Sequence, residues 1–484
     1  MKSLMVSNRK NNPSFIQSIL PLFFLVVLLA INVSIFKGDS LSGSIQIVLF
    51  LSSAFATIIA FNVGFSWNEI QEGIVKSIKS ALPSILILFL VGSLAGSWMV
   101  SGVVPAMIYY GIKILNPEVF LLAACIICII VSMATGSSWT TSATIGIALI
   151  GIGKALNISE GIIAGAILSG AYFGDKMSPL SDTTNLAPAV SGSDLFSHIR
   201  YLSLTALPSI IICLLIFTFI GFNLNSGQIV ENSLNISLII KEKFFISPIL
   251  FIVPLVVIFM IYKKIKAAPA LFIGVILGSL FALIFQSELL VEISGNTYGD
   301  WRDLFIGSMI SLYGNVKILT SDEMFTELLS SGGMSGMLDT IWLVISAMIF
   351  GGVMESSGFL KKISSVILSK VSSHASIVTS TAGTCIFFNL TASDQYLSIV
   401  VPGKMYSKIY KEKGLAPENL SRTLEDSGTV TSVLVPWNTC GAYHASVLNV
   451  ATVTYLPFCF FSLISPIMTI IFAFLKIRIK KLAS

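Results

Sequence analysis

An apolar run of the sequence leads directly into a polar stretch that carries two carboxylates and a proline. The run covers 161–169, and the stretch 170–185 that follows contains Asp175, Pro179 and Asp182 beside several hydroxyls. Proline lacks an amide hydrogen and breaks the helical hydrogen-bond ladder. A helix broken at membrane depth is tolerated only where its backbone is buried in protein or lines a cavity. We therefore interpret the stretch as a broken membrane helix with an ion site, against the alternative of a polar external loop.

The composition is that of a membrane protein. Hydrophobic residues make up 55% of the 484 residues, charged residues only 11%, and the mean hydropathy is +0.90. A soluble protein carries charge on about a quarter of its residues. The net charge of +5 is assigned to loops and does not indicate nucleic-acid binding. Cys125 and Cys128 could form a metal or redox pair, but small buried apolar residues are the preferred interpretation.

Apolar runs predict an all-helical chain with many crossings and one hairpin in each half. The first run, 15–36, is too long for a signal-peptide core and is kept as a span. We expect 67–80 to be an interfacial amphipathic segment and 82–100 to be the third span. The predicted organisation is N-terminal spans and the interfacial segment in 1–81, a first repeat in 82–222, linking spans and an acidic external loop in 223–337, a second, inverted repeat in 338–475, and a cytoplasmic tail in 476–484.

Weak internal similarity supports the two repeats. Thr135-Gly-Ser137 matches Thr391-Ala-Ser393, Ser169-Gly170 matches Ser427-Gly428, and Asp182-Thr183 matches Asn438-Thr439, in the same order along both halves. A nearly constant offset of this kind is typical of duplicated transporter folds.

The distribution of basic residues predicts the orientation of the repeats. The loop 404–413 carries four lysines, whereas the equivalent loop around Lys154 carries one. By the positive-inside rule the first loop is cytoplasmic and the second external, so the repeats are inverted. Both termini are then cytoplasmic. The segments predicted to be cytoplasmic are 1–12, 64–81, 192–200, 263–266, 361–370, 404–413 and 476–481.

Acidic side chains outnumber basic ones within the predicted membrane segments, where only Lys176 and Arg422 are basic. Because a buried carboxylate is costly unless it is paired or binds a cation, this excess favours a path for cations or protons. Glu425 lies three residues after Arg422, a helical spacing that permits an ion pair. The acids are Glu160, Asp339 and Glu418, interpreted as interfacial, and Asp175, Asp182, Glu355, Asp394, Glu425 and Asp426.

Each half offers a hairpin tip and a broken helix that are rich in oxygen atoms. The first tip lies at 135–142, for which a polar turn at the membrane surface is the alternative, and the second contains Asp394. The second break lies at Pro436, and His444 beyond it is either a proton relay or, preferably, a packing residue. Oxygen-only surroundings suit a hard cation such as sodium. Motifs for zinc, phosphate or ATP binding are absent from the sequence.

These residues resemble the NhaC-type sodium/proton antiporter family, within the ion-transporter superfamily. The resemblance covers about residues 82–474 and implies sodium-coupled secondary transport in a bacterial cytoplasmic membrane. The family also includes sodium-coupled exchangers of organic solutes, such as malate/lactate antiporters. The motifs that carry the resemblance are Gly136 to Trp139, Phe173 to Ala187, Asp394 to Ser398, Ser421 to Thr429 and Pro436 to Gly441.

The sequence thus predicts an inverted-repeat secondary transporter that exchanges sodium for protons, or alternatively a sodium-coupled transporter of a small organic acid or amino acid. Inverted broken helices argue against a channel, and the lack of a nucleophile-and-base motif argues against an enzyme. Sodium, protons and membrane lipid are the expected partners, without a cofactor; a homodimer is one expected assembly. The predicted cation- and proton-binding residues are Asp175, Asp182, Asp394 and Asp426; the supporting ligands are Ser137, Ser138, Thr183, Thr184, Asn185, Ser393, Ser427, Thr429, Asn438 and Thr439; and sodium is expected at Asp182, Thr183, Asn438 and Thr439.

Overall fold

The described part of the protein is built almost entirely from helices, and some of them are long and apolar enough to cross a membrane. The computed structural model describes residues 12–36, 43–114, 116–224, 236–263, 265–320, 323–368 and 373–482. Within these ranges, seven single helices and two bent helix pairs have the length and composition of membrane spans. The prediction of an all-helical multi-pass membrane protein is therefore confirmed. Most of the predicted cytoplasmic segment 1–12 lies outside the described residues.

The N-terminal part consists of long helices, and the third is longer than predicted. Ser66 caps this third helix by accepting a hydrogen bond from the backbone N–H of Glu69. The predicted interfacial segment and third span form one continuous helix of 34 residues, so the boundary between 81 and 82 falls inside it. Pro83 removes only one ladder hydrogen bond, which is not enough to end the helix here. These helices are α1 (Phe15–Phe36), α2 (Ser44–Val63) and α3 (Trp67–Val100).

The first repeat continues with a hairpin and a broken helix. Its helices are α4 (Val103–Ile114), α5 (Pro117–Thr135), α6 (Ser138–Thr141), a π-helical turn (Ser142–Gly146), α7 (Ile147–Ala155), α8 (Glu160–Met177), α9 (Asp182–Ser191) and α10 (Leu195–Phe222). Helix α8 packs closely on α5 through Gly170, where a Cβ atom would lie 2.2 Å from the carbonyl oxygen of Cys125. Small residues of this kind let membrane helices approach backbone to backbone. Cys125 and Cys128 are buried in this contact, as expected of packing residues.

The linking region contains spans and, in the segment predicted to be external, several short helices. Residues 287–337 were expected to form a loop, but much of this segment is helical. The prediction was wrong because it relied on the lack of a long apolar run, which argues against a span and not against a helix. The elements are α11 (Ile236–Lys243), a 3₁₀ turn (Pro248–Phe251), α12 (Ile252–Tyr262), α13 (Ala267–Phe285), α14 (Ser287–Ser294), α15 (Trp301–Tyr313), β1 (Val316–Lys317), α16 (Glu323–Leu328), β2 (Ser330–Ser331), antiparallel to β1, and a 3₁₀ turn (Ser335–Met337).

The second repeat also contains a hairpin followed by a broken helix, but its π-helical turn lies at the end of the helix before the break and not in the hairpin. Its elements are α17 (Leu338–Ser356), α18 (Phe359–Leu368), α19 (His374–Thr391), α20 (Gln395–Glu412), α21 (Pro417–Leu424), a π-helical turn (Glu425–Thr429), a 3₁₀ turn (Ser432–Leu434), α22 (Thr439–Leu448), α23 (Thr452–Tyr455), a 3₁₀ turn (Leu456–Phe458) and α24 (Phe460–Phe474).

Helix boundaries relate the two repeats more closely than the sequence matches do. Helix α8 begins at 160 and α21 at 417, while α9 begins at 182 and α22 at 439, so both pairs lie 257 residues apart. The same spacing separates Gly136 from Ser393, which adopt left-handed φ angles of 70° and 57° at the hairpin tips. By this spacing Asn438 is equivalent to Ser181 and not to Asp182, and both Asn438 and Ser181 are N-cap residues.

Segments predicted for the same side of the membrane lie together. The backbone N–H of Ala416 donates to the carbonyl of Lys480 at 3.0 Å, and the Lys480 side chain pairs with Glu418 at 2.6 Å. The tail therefore packs on the start of α21, at the end where the lysine-rich loop lies. At another position Lys154 and Lys317, both predicted to be external, line one cavity of about 500 Å³.

Candidate functional site

The site is built where the first hairpin tip meets the first helix break. Helix α8 ends at Met177, two residues before Pro179, and Ser181 caps the next helix by accepting from the backbone N–H of Thr184 at 3.4 Å. Asn185 holds the break by donating to the carbonyl oxygens of Pro179 at 2.9 Å and Ser181 at 2.7 Å. The break is thus a fixed turn between two helices.

The hairpin tip packs directly on this break. Gly136 ends α5 with a left-handed φ of 70°, and a Cβ atom there would lie 2.7 Å from the backbone of Leu180. Ser137 caps α6 by accepting from the backbone N–H of Thr140 at 3.1 Å. Only glycine combines this conformation with so close an approach. The tip therefore presents its hydroxyl groups to the broken helix.

Asp175 joins the tip to the break. Its carboxylate accepts hydrogen bonds from the backbone N–H of Ser138 at 3.0 Å and from the Ser138 hydroxyl at 2.6 Å. The hydroxyl of Thr184 donates to the carbonyl oxygens of Asp175 at 3.2 Å and Lys176 at 3.0 Å. Asp175, Ser138 and Thr184, all predicted from the sequence, are therefore in contact.

A cavity of about 720 Å³ opens beside these residues. Asp182 is exposed to it and, within the described part of the chain, makes no side-chain hydrogen bond. The sequence-predicted residues that line the cavity are Asp175, Asp182, Ser137, Thr183 and Thr439. Two carboxylates and three hydroxyls thus share one concave space, with Thr439 contributed by the second repeat.

The second tip and break have a structural role in this conformation. Asp394 caps α20 by accepting from the backbone N–H of Leu397 at 2.8 Å, and the carbonyl of Ser393 accepts from the N–H of Thr439 at 3.0 Å. Asn438 caps α22 through the N–H of Cys440 at 3.0 Å. Its amide also donates to the carbonyl and side-chain oxygens of Asn389 at 3.1 and 3.2 Å. Asp394 and Asn438 are buried and do not line the cavity.

Asp426 lies outside the cavity and is held by an ion pair that the sequence did not reveal. It binds the ammonium of Lys176, and both side chains are completely buried. The hydroxyls of Thr205 at 2.7 Å, Ser465 at 2.9 Å and Thr469 also donate to its carboxylate. The remaining predicted ligands, Ser427 and Thr429, are buried in the same segment without side-chain partners among the described residues.

An aromatic cluster that we did not predict closes one side of the cavity. The rings of Trp139 and Tyr443 stack with centroids 3.9 Å apart, and the Tyr443 hydroxyl donates to the carbonyl of Trp139 at 2.9 Å. His444 is buried against Tyr172 and Tyr443 at centroid distances of 5.4 and 5.1 Å. Neither ring nitrogen of His444 has a hydrogen-bond partner in the described chain, which favours packing over a proton relay. The position of Trp139 directly after the tip hydroxyls was the signal available in the sequence.

Comparison with known proteins identifies the family. The Na⁺/H⁺ antiporter family matches residues 170–477, which include the break after α8 and the whole second repeat. The chain belongs to the Na⁺/H⁺ antiporter family. The resemblance noted in the motifs is thereby confirmed, and the chain is a transporter and not an enzyme.

Curated members of the antiporter family are similar to this chain over most of their length, but their names give different cargoes. The Na⁺/H⁺ antiporter NhaC of Alkalihalophilus pseudofirmus is 38% identical over 86% of this chain and 87% of its own. The malate-2H⁺/Na⁺-lactate antiporter of Bacillus subtilis is 35% identical over 94% of both chains. The arginine/ornithine antiporter ArcD of Halobacterium salinarum is 34% identical over 96% of this chain and 93% of its own.

Proposed function

We propose that the protein exchanges sodium for protons across a bacterial cytoplasmic membrane by alternating access. The main supporting observation is that Asp175 and Asp182 lie on one cavity at the meeting point of a hairpin tip and a broken helix. Broken helices at this depth supply cation sites in secondary transporters. Family membership, with the sodium/proton antiporter of A. pseudofirmus among its similar members, supports the same exchange.

The sodium ion is the cargo, and the cavity offers the oxygen ligands that it prefers. The carboxylate of Asp182 and the hydroxyls of Thr183 and Thr439 form the core of the proposed site. Asp175 adds a second negative charge that Ser138 holds in position. Asn438 then has an indirect role, because it fixes the start of the helix that carries Thr439.

The cavity is proposed to open to the cytoplasm in this conformation. Its lining includes Ser80 and Lys266, which lie in segments predicted to be cytoplasmic from their positive charge. The stacked Trp139 and Tyr443 line this cavity, whereas residues 445–448, which follow Tyr443 in α22, line the 500 Å³ cavity beside Lys154. Helix α22 lines both cavities. A movement of this helix together with the aromatic cluster would change the side of the membrane from which Asp182 is accessible.

The volume of the cavity favours one alternative. A space of about 720 Å³ is larger than a sodium ion needs and lies within the range of small-molecule sites. Gln395 and Tyr396 add polar groups to it. A sodium-coupled exchange of a small organic acid or amino acid is therefore the second candidate. One relative is named as a malate-2H⁺/Na⁺-lactate antiporter and another as an arginine/ornithine antiporter.

Flux in proteoliposomes tests the proposal. We expect an inward sodium gradient to drive proton movement in the absence of any organic solute. The same measurement is repeated with malate, lactate, arginine and ornithine on either side. Proton movement that requires one of these solutes would support the second candidate, and its absence under every condition would refute sodium/proton exchange.

A further inference from the structure

Glu425 is a completely buried carboxyl group that the proposed exchange has not yet used. It begins the π-helical turn of the second repeat, and neither of its oxygens makes a hydrogen bond of normal geometry among the described residues. The hydroxyl of Thr429 in the same turn, which is likewise unpaired, lies near enough to interact with the carboxyl group. The ion pair with Arg422 that the helical spacing permits is not formed. The guanidinium of Arg422 lies instead over the ring of Tyr201, with 4.6 Å to the ring centroid. Arg422 therefore stacks on a residue of α10 and does not pair with its neighbour in the same helix.

The charges around Glu425 do not neutralise it. Lys176, Asp175 and Asp426 lie close enough to act electrostatically on its carboxyl group. Lys176 is the only cation of these three, and its ammonium is already bound to Asp426. Helix α24, which also packs on the turn, faces it with the hydroxyls of Ser465 and Thr469 and carries no charged residue. The titratable groups on the elements around this turn include Asp175 and Lys176 of α8, Asp182 of α9, His198 of α10, Cys385 of α19, Tyr406 and Tyr410 of α20, and Arg422 and Asp426 of the same segment.

An ionised carboxylate in this position would be costly, because burial removes its hydration and no ion pair of its own replaces it. We propose that Glu425 holds a proton in this conformation and that this proton is the one exchanged for sodium. This inference rests on the proposed function and assigns the proton to a site separate from the cation cavity. The π-helical geometry of the segment agrees with such a role, since π-bulges are frequent at functional sites.

Electrostatics links the two sites. When the O–H bond of Glu425 breaks, the proton passes to water and the carboxylate keeps one negative charge. Lys176, which is already paired with Asp426, then also attracts the ionised Glu425. A sodium ion bound beside Asp175 adds a positive charge close to this group. Asp175 is the chain neighbour of Lys176 and acts electrostatically on Glu425, so the added charge stabilises the ionised form of Glu425. Sodium binding therefore favours proton release, and sodium departure favours proton return.

The test replaces Glu425 by a neutral side chain of the same shape. Purified protein in weakly buffered detergent receives sodium chloride or choline chloride, and a pH-sensitive dye reports released protons. We expect sodium to release protons from the wild type, and Glu425→Gln to release about one proton fewer per bound sodium. In proteoliposomes the variant should lose sodium-driven proton movement while exchange of radioactive sodium for unlabelled sodium continues.

Two further variants keep the test decisive. Glu418→Gln removes a carboxylate from the same segment, where it pairs with Lys480 near the surface, and should leave proton release and flux unchanged. Glu425→Asp keeps a titratable group and should restore part of the flux with a shifted pH profile. If Glu425→Gln does not fold, an unchanged flux and pH profile in Glu425→Asp would overturn the inference.

The outcomes separate this inference from the proposed function. Equal proton release and equal flux in the wild type and Glu425→Gln would overturn the role of Glu425 and leave sodium/proton exchange intact, carried by the cavity carboxylates. A wild type that neither releases protons on sodium addition nor moves them along a sodium gradient would overturn both.

Discussion

Lys176 and Asp426 form a buried ion pair that joins the two repeats across 250 positions of sequence. Lys176 comes from α8 and also donates to the hydroxyl of Ser465 at 2.7 Å. Removing one partner of a buried pair leaves the other charge without compensation, which costs about 3–5 kcal/mol. We expect Lys176→Met to lower the thermal stability of the detergent-solubilised protein strongly.

The matched control is the double variant Lys176→Met/Asp426→Asn, in which no charge is left unpaired. It should regain much of the lost stability, because the hydroxyls of Thr205 and Thr469 can still bond the amide. A single variant as stable as the wild type, or a double variant no better than the single one, would show that the pair does not hold the repeats together.

Topology is tested with single cysteines in a cysteine-free background. Cysteines that replace Lys411 and Lys154 should react with a membrane-impermeant reagent from opposite sides, since the lysine contrast puts their loops on opposite faces. A cysteine at Lys481 should label from the same side as Lys411, because the tail packs on the start of α21. Labelling of positions 411 and 154 from one side would rule out the inverted arrangement.

Local chemistry made much of the site predictable from sequence. Proline at 179 and at 436 produced the two breaks as expected, and the hydroxyl or amide side chain two residues later caps the helix that follows each break. The glycine at 136 marked the first tip. These features depend on neighbours within a few residues, so the sequence carries them directly.

Contacts between distant segments were not predictable in the same way. Spacing along a helix suggested Arg422 as the partner of Glu425, whereas Tyr201 and not Glu425 receives the guanidinium. Nothing in the local pattern of Lys176 indicated Asp426. The repeat alignment was also one residue off at Asn438, because it matched the threonines that follow and not the N-cap residues.

The pH dependence of sodium affinity distinguishes ion exchange from solute transport. A proton that is exchanged for sodium, whether it sits on Glu425 or on a cavity carboxylate, opposes sodium binding. A higher pH should therefore tighten the apparent sodium affinity, by up to about tenfold per pH unit for one competing proton. Sodium titrations of purified protein at several pH values provide the measurement. An affinity that is independent of pH over the working range would argue against competition and for a solute carrier.

The last prediction compares Asp182, which lines the cavity, with Asn438, which is buried and does not line it. Asp182 is exposed to the cavity, and Ser181 already caps its helix, so Asp182→Asn should leave a folded, membrane-inserted protein. The charge that binds sodium is lost, and sodium-dependent proton flux should disappear. Asn438→Ala removes the cap of α22 and the bonds to Asn389, which should lower stability by about 1 kcal/mol and only weaken transport.

Everted vesicles with a pH-sensitive dye, at matched protein levels, give both fluxes in one assay. The competing explanation is that Asp182 only helps to start its helix. An asparagine at the first helical turn retains a side-chain oxygen and polarity there, so that explanation predicts near-normal flux in Asp182→Asn. Such a result would remove Asp182 from the sodium site. A greater loss of flux in Asn438→Ala than in Asp182→Asn would place the cation nearer the second break, because Asn438 would then matter through its oxygen and not through the cap it provides.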